Sequence, residues 1–191
     1  MSDWLQRLTE KLEPLLAMND PRKSISAYHD MPYAIFRYPP EDEFAVRKEL
    51  SLLRTRLEHR GKRITTISLA ECLRAALTAE GAVERLFEAE RTVGLTQAVD
   101  TVHEILNSYQ PLDELVLQRM PADASPTRNI FFLVRAGALF PTYRTSTLLE
   151  QIKGRVEIPG VLFFPGDLDG AAGLQFMGLL DAEHNYRPMI F

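Results

Sequence analysis

Leu5, Leu8, Leu12 and Leu15 recur three, four and three residues apart. That apolar stripe at helical spacing predicts an amphipathic helix over roughly residues 1–17. Pro14 sits inside the stripe and predicts an early stop, because proline lacks an N–H and its ring crowds the carbonyl four residues back. The polar, proline-punctuated "NDPRKSISAYHDMP" reads as a connection. "YAIFRY", Tyr33 to Tyr38, is an aromatic and apolar run of strand length. In "PPEDEF" two prolines end that strand, and three acids then stand where the positive end of a helix dipole favours them. Val46, Leu50, Leu53 and Leu57 continue at four, three and four residues, a helix with one buried face. Gly61 is its expected stop.

"RITTISL", Arg63 to Leu69, is rich in β-branched residues and reads as a second strand. From Ala70 to about Met120 the pattern is helical in several pieces, separated at Gly81 and Gly94, with Leu95, Val99, Val102 and Leu106 as the clearest stripe. "MPADASPTRN" is a loop. It leads into "IFFLVRAG", an uninterrupted apolar strand of the kind buried on both faces. A helix around Ser146 to Lys153 follows, then "GVLFFPG" as a fourth strand, a short segment near Leu174 to Met177, and the terminal run "YRPMIF". In "VLFFPGDLDG" the strand is expected to end at Pro165-Gly166, the rest being its exit turn. Strand and helix alternate throughout. The expectation is therefore an α/β fold: one domain over residues 1–191, with a Rossmann-like, mostly parallel sheet flanked by helices and a helical insert at about 70–120.

Bulk composition changes this picture little. The 191 residues are 46% hydrophobic and 25% charged, ordinary globular usage, in one core's worth of chain. A formal charge of -4 argues against binding driven by neutralising nucleic-acid phosphates. Cys72 is the single cysteine, so no intrachain disulfide is possible, which fits a reducing cytoplasm. The charged N-terminus lacks a signal peptide's apolar stretch, and no run is long enough to cross a bilayer.

In this class of fold, ligands sit beyond the carboxyl ends of the strands, here the loops "RYPPED", "RAGALFP" and "FFPGDLDG". None is a phosphate loop. "RGKRITT" lacks the upstream glycine and runs into a strand instead of opening a helix, so it reads as a helix-stop glycine followed by surface basics. No G-x-G-x-x-G or G-x-S-x-G occurs. The four histidines are scattered, and "HEILN" lacks the second histidine of a zinc-protease motif. Cys72 reads as a small core residue. Asp167 and Asp169 have the oxygen chemistry for Mg²⁺, but aspartates and glycines are also what turns prefer. Arg144 in "FPTYRTS" and Arg187 in "NYRPMIF" are the candidate guanidiniums for a phosphate or a partner's carboxylate, against the alternative of structural ion pairs. The basics from Arg47 to Arg63 alternate with glutamates, as on a solvated helix face.

Taken together, "GALFPTYRTSTLLEQI", "VLFFPG" and "YRPMIF" resemble the BrxB family of BREX phage-defence systems, and "YAIFRYPPEDEFAVRKELSLLRTRLEHRGKRITTISL" matches that family's early strand-helix-strand unit. The likeness is best over roughly 33–69 and 131–191. Pro188 stands where the family pattern would continue a strand. The resemblance implies antiviral defence without an assigned reaction: a non-enzymatic accessory component that needs no cofactor. It implies binding to PglZ, a member of the alkaline-phosphatase superfamily, with the ATPase and methyltransferase of such systems as further partners. Candidate contacts are Phe140, Tyr143, Arg144, Asp167 and Arg187. Two alternatives stand beside this reading. One is a nucleotide- or nucleic-acid-binding protein using the strand-end loops; the other places docking on the N-terminal helix around Trp4 and Leu5.

Overall fold

The computed structural model describes residues 2–26, 28–170, 173–179 and 187–191. Four strands, β1 (Tyr33–Tyr38), β2 (Arg63–Ser68), β3 (Asn129–Val134) and β4 (Gly160–Asp169), form a parallel sheet in the order β1-β4-β3-β2. The short β5 (Gly173–Phe176) turns back antiparallel on the end of β4. Beyond Pro188 the chain end lies along β1, where the Ile35 N–H donates to the Met189 carbonyl and the Phe191 N–H to the Ile35 carbonyl, each at 2.8 Å. The proline therefore does not end the sheet. It precedes the pairing residues, where its missing N–H costs no ladder bond.

Side chains alternate across a strand, so each strand feeds two cores. On the first face Phe36, Phe132 and Phe163 meet Trp4, Leu8, Leu12 and Leu16 of the N-terminal helices, and Val46, Leu50, Leu53 and Leu57 of α4 (Glu43–His59). On the second face Ile35, Phe131, Leu133, Leu162 and Phe164 meet Leu69, Cys72 and Ala76 of α5 (Leu69–Ala79), Leu112 and Val116 of α8 (Leu112–Leu117), and Leu148 and Leu149 of α9 (Thr145–Gln151). Each large side chain removed from water in this way contributes about 1.5–3 kcal/mol. Gly160, in the central strand β4, leaves room for a neighbour: a Cβ there would fall inside the Phe131 ring.

The N-terminal helix runs past its proline. α1 (Asp3–Arg7) passes through a π-helical turn, Leu8–Leu12, in which the Glu13 N–H reaches back five residues to the Leu8 carbonyl. Pro14 then falls in the first turn of α2 (Glu13–Leu16), where the missing N–H and ring are tolerated. This helix is no free docking element, because Trp4, Leu8, Leu12 and Leu16 are all buried. Trp4 Nε1 donates to Asp42 at 2.8 Å, and Arg56 grips Glu13 through Nε and Nη2 at 2.9–3.1 Å while also holding Glu49 at 2.9 Å. After the short α3 (Arg22–Ile25) the chain enters β1.

Two further expectations change. Gly61, at φ 82°, does close α4, but Lys62 is not a surface basic: it is buried, and its ammonium donates to the carbonyls of Met18, Asn19 and Thr127. Those three carbonyls replace the water that an ammonium normally keeps. The strand "VLFFPGDLDG" also does not leave at Pro165-Gly166. β4 continues to Asp169 because β5 pairs with it from Gly166 onward, and a Cβ at Gly166 would collide with the Gln175 carbonyl. The helical insert divides. α5, a π-helical turn at Ile105–Tyr109 and α8 pack on the sheet, whereas α6 (Val83–Thr92) buries no residue and α7 (Leu95–Glu104) buries only Val102.

Candidate functional site

β1 exits toward α4 on the first face, and β3 exits toward α9 on the second. β4 lies between them, and divergence of the two exits opens a crevice at the carboxyl edge of such a sheet. Two adjoining depressions occupy it here, of about 280 and about 380 Å³, and Arg47 and Arg135 line both. The smaller has Pro165, Gly137 and Met177 beneath Phe44; the larger has Leu50, Phe132 and Val134 as an apolar floor, with Arg54 and Thr66 at its rim.

Arg135 ends β3 in the left-handed conformation, φ 60° and ψ 38°, uncommon for a residue with a Cβ. The 3₁₀ turn Ala136–Leu139 follows directly. Arg47, on the first turns of α4, lies 5.8 Å from the centre of the Phe44 ring. Among the described residues neither Arg47 nor Arg135 pairs with an acid, while Arg54 holds Glu58 at 2.7 Å. Glu43 is engaged from below, accepting the hydroxyl of the buried Tyr38. Burial, reinforced by that carboxylate, pushes the Tyr38 phenol well above its ordinary range.

A second arginine pair lies at the end of β1. Arg7 stands 5.3 Å over the Phe36 ring, donates to Asp3 at 2.8 Å and to the Arg37 carbonyl at 3.1 Å. Burial, then the neighbouring Arg7 charge, lowers the Arg37 pKa, with Asp3 and Asp167 pulling the other way.

The residues singled out from the sequence are dispersed over this edge. Phe140 is turned inward and meets Phe176 edge-on at 5.6 Å. Tyr143 is 2% exposed and donates to Gln151 at 2.6 Å, with burial pushing its phenol up to about 12. Both rings are committed to packing. Arg144 is exposed at the start of α9, and its carbonyl accepts the Thr147 N–H at 3.2 Å. Asp167 is exposed on the β4 extension opposite Gln175, and Asp169 lies two residues on, on the same side of the strand. Arg187 is exposed just before the terminal residues that pair with β1. No cluster of three or more metal-ligating side chains occurs among the described residues. Cys72 lies in the core, where burial raises its thiol pKa. Sequence reading assigned Arg47 to a solvated helix face and did not single out Arg135. The available signal was an arginine directly after the apolar run "IFFLV" and another one turn after "PPEDEF".

These features define an α/β protein with helices on both sides of a mostly parallel sheet and an arginine-lined crevice at its carboxyl edge. Residues 65–190 match the family described as "BREX protein BrxB", and the chain belongs to that family. It is similar to the BREX protein BrxB of Bacillus cereus (strain H3081.97), at 27% identity over 188 residues that cover 96% of each chain. No solved structure matches it. No described helix is long and apolar enough to cross a membrane.

Proposed function

We propose that this chain serves BREX phage defence as a non-catalytic binding component in the cytoplasm, with PglZ as its partner. Family membership supports the system, and the family resemblance supports the partner. The observation that carries a binding role is the α6–α7 arm. α6 buries none of its residues, and Phe87, Val93 and Leu95 of the arm are 61%, 67% and 63% exposed. Grouped apolar side chains left in water are characteristic of a surface that a partner covers. Co-purification of the tagged chain with PglZ from the same locus, sized by light scattering, tests this. One complex of defined mass is expected; two separate peaks at micromolar concentration would overturn it.

The crevice gives a second reading, a nucleotide or nucleic acid held by its arginines. Thermal stabilisation of the wild type by nucleotides or DNA, lost in Arg47→Ala, would support that reading; no stabilisation by either would remove it.

A further inference from the structure

The first face of the sheet is covered less completely than the second. At β2 the cover stops short, and Thr66 stands exposed on the sheet beside α4. The result is a groove rather than an enclosed pocket. Its floor is Leu50 and Val134, and its rim carries Arg47, Arg54 and Arg135. β2 also ends the sheet, and no backbone of a described residue pairs with its outer edge.

We infer that this groove is a docking site for an acidic, extended segment of a partner protein, a deepening that rests on the binding role proposed above. Carboxylates of the segment meet Arg47 and Arg135, and an apolar side chain between them rests on Leu50 and Val134. Charge selects the occupant. The chain as a whole is acidic at -4, yet this groove gathers three guanidiniums, two of them with no acidic partner among the described residues. A guanidinium's planar fork matches a carboxylate in two parallel hydrogen bonds.

The shape selects further. A mononucleotide wants converging backbone N–H groups, but at the nearest helix start the Glu71 N–H is already taken by Ser68 Oγ, and Glu71 itself brings a negative charge to the wall. Nucleic acid wants a longer run of cations than three arginines on an acidic protein. An extended peptide suits an open groove beside an unpaired strand edge, since its main chain can add hydrogen bonds there.

The test uses the full chain and a short labelled peptide alternating glutamate and valine, with a lysine–valine peptide and a single-stranded DNA oligonucleotide as controls. The variant is Arg47→Glu with Arg135→Asn, asparagine being chosen because it tolerates the left-handed backbone. Both residues are exposed, so circular dichroism should match the wild type; Arg47→Gln and Arg135→Asn serve singly if the pair misfolds. The acidic peptide is expected to bind the wild type, to weaken with salt, and to lose about tenfold or more in affinity to the variant. No binding, equal binding to both proteins, or a preference for the oligonucleotide would overturn the inference. If PglZ co-purifies equally well with the variant, the groove is dismissed and the binding role stands. If the wild type ignores PglZ yet holds the acidic peptide, the partner's identity falls and the groove stands.

Discussion

The two faces of the sheet are built from the same strands and covered in opposite ways. The first is covered by the N-terminal helices and α4 alone, whose buried residues share one core with Phe36, Phe132 and Phe163. The second carries α5, α8, α9 and a π-helical turn, and still has helix left over in the α6–α7 arm. A thin layer leaves bare sheet at its margin, and here that margin is the arginine groove by β2. A thick layer leaves bare helix, and here that helix presents Phe87, Val93 and Leu95 to solvent. Candidate binding surface thus arises on both faces for opposite reasons: too little cover on one, surplus helix on the other.

The thin face has least redundancy, so the largest effect belongs there. Leu8 is fully buried, at the start of the π-helical turn. Leu8→Ala is expected to cost about 3–4 kcal/mol in chemical denaturation, the transfer energy of the side chain plus the cavity left behind. A cost under about 1 kcal/mol would mean that the N-terminal helix is an accessory to this core after all. Gly160→Ala strikes the second face through the central strand. Its Cβ meets the Phe131 ring while the backbone is pinned by Tyr33 of β1 on one side and Phe131 of β3 on the other. A loss of about 3 kcal/mol is expected in the same assay. A loss near zero would show that the Phe131 ring can swing aside within a packed layer.

These positions also show what the sequence makes legible. The apolar runs "YAIFRY" and "IFFLV" name the strands, and the four-three-four stripe from Val46 to Leu57 names α4, because each pattern is a local property of the backbone. The Phe-Phe-Pro-Gly stretch misleads at its end. Pro165 and Gly166 carry a turn signature, and only pairing with β5 keeps them in a strand. Lys62 misleads in the same way, since a lysine after a helix-stop glycine looks solvated until three carbonyls from two distant loops close on it. Of the candidate site, Phe140 and Tyr143 have the composition of a contact surface but are used internally. Arg47 and Arg135 are 88 residues apart in number and meet only because β1 and β3 release their chains to opposite faces.

Smaller effects sharpen the contrast. Arg56→Ala removes the clamp between α4 and the N-terminal helix and leaves Glu13, 8% exposed at its side chain, with only Arg60 at 3.7 Å. A cost of about 1.5 kcal/mol is expected, larger at low salt. Phe87→Ser, on the arm, should shift stability by no more than about 0.5 kcal/mol, because the ring is already in water. Its expected consequence is weaker co-purification with PglZ. Destabilisation by more than about 2 kcal/mol would mean that the arm is folded against the core, with no surface left to offer.

The smallest effect at neutral pH is also the one that reads both faces at once. Tyr38 is buried on the first face, Tyr33 and Tyr143 on the second, and in each burial raises the phenol pKa, to about 12 for Tyr143. The folded chain therefore keeps protons that the unfolded chain releases near pH 10, and the sign follows. Their contribution to stability is whole below about pH 10 and drains away as pH rises from there toward and beyond about 12. In an alkaline titration followed by phenolate absorbance, the three buried rings should ionise only as circular dichroism is lost. Their appearance in a single step would show that the thin and thick layers unfold as one unit around their shared sheet. Two steps, with the Tyr38 signal moving alone and its identity checked by Tyr38→Phe, would show that the thinner layer lets go first. Ionisation of Tyr33, Tyr38 and Tyr143 near pH 10 in a folded protein would contradict the burial of both faces.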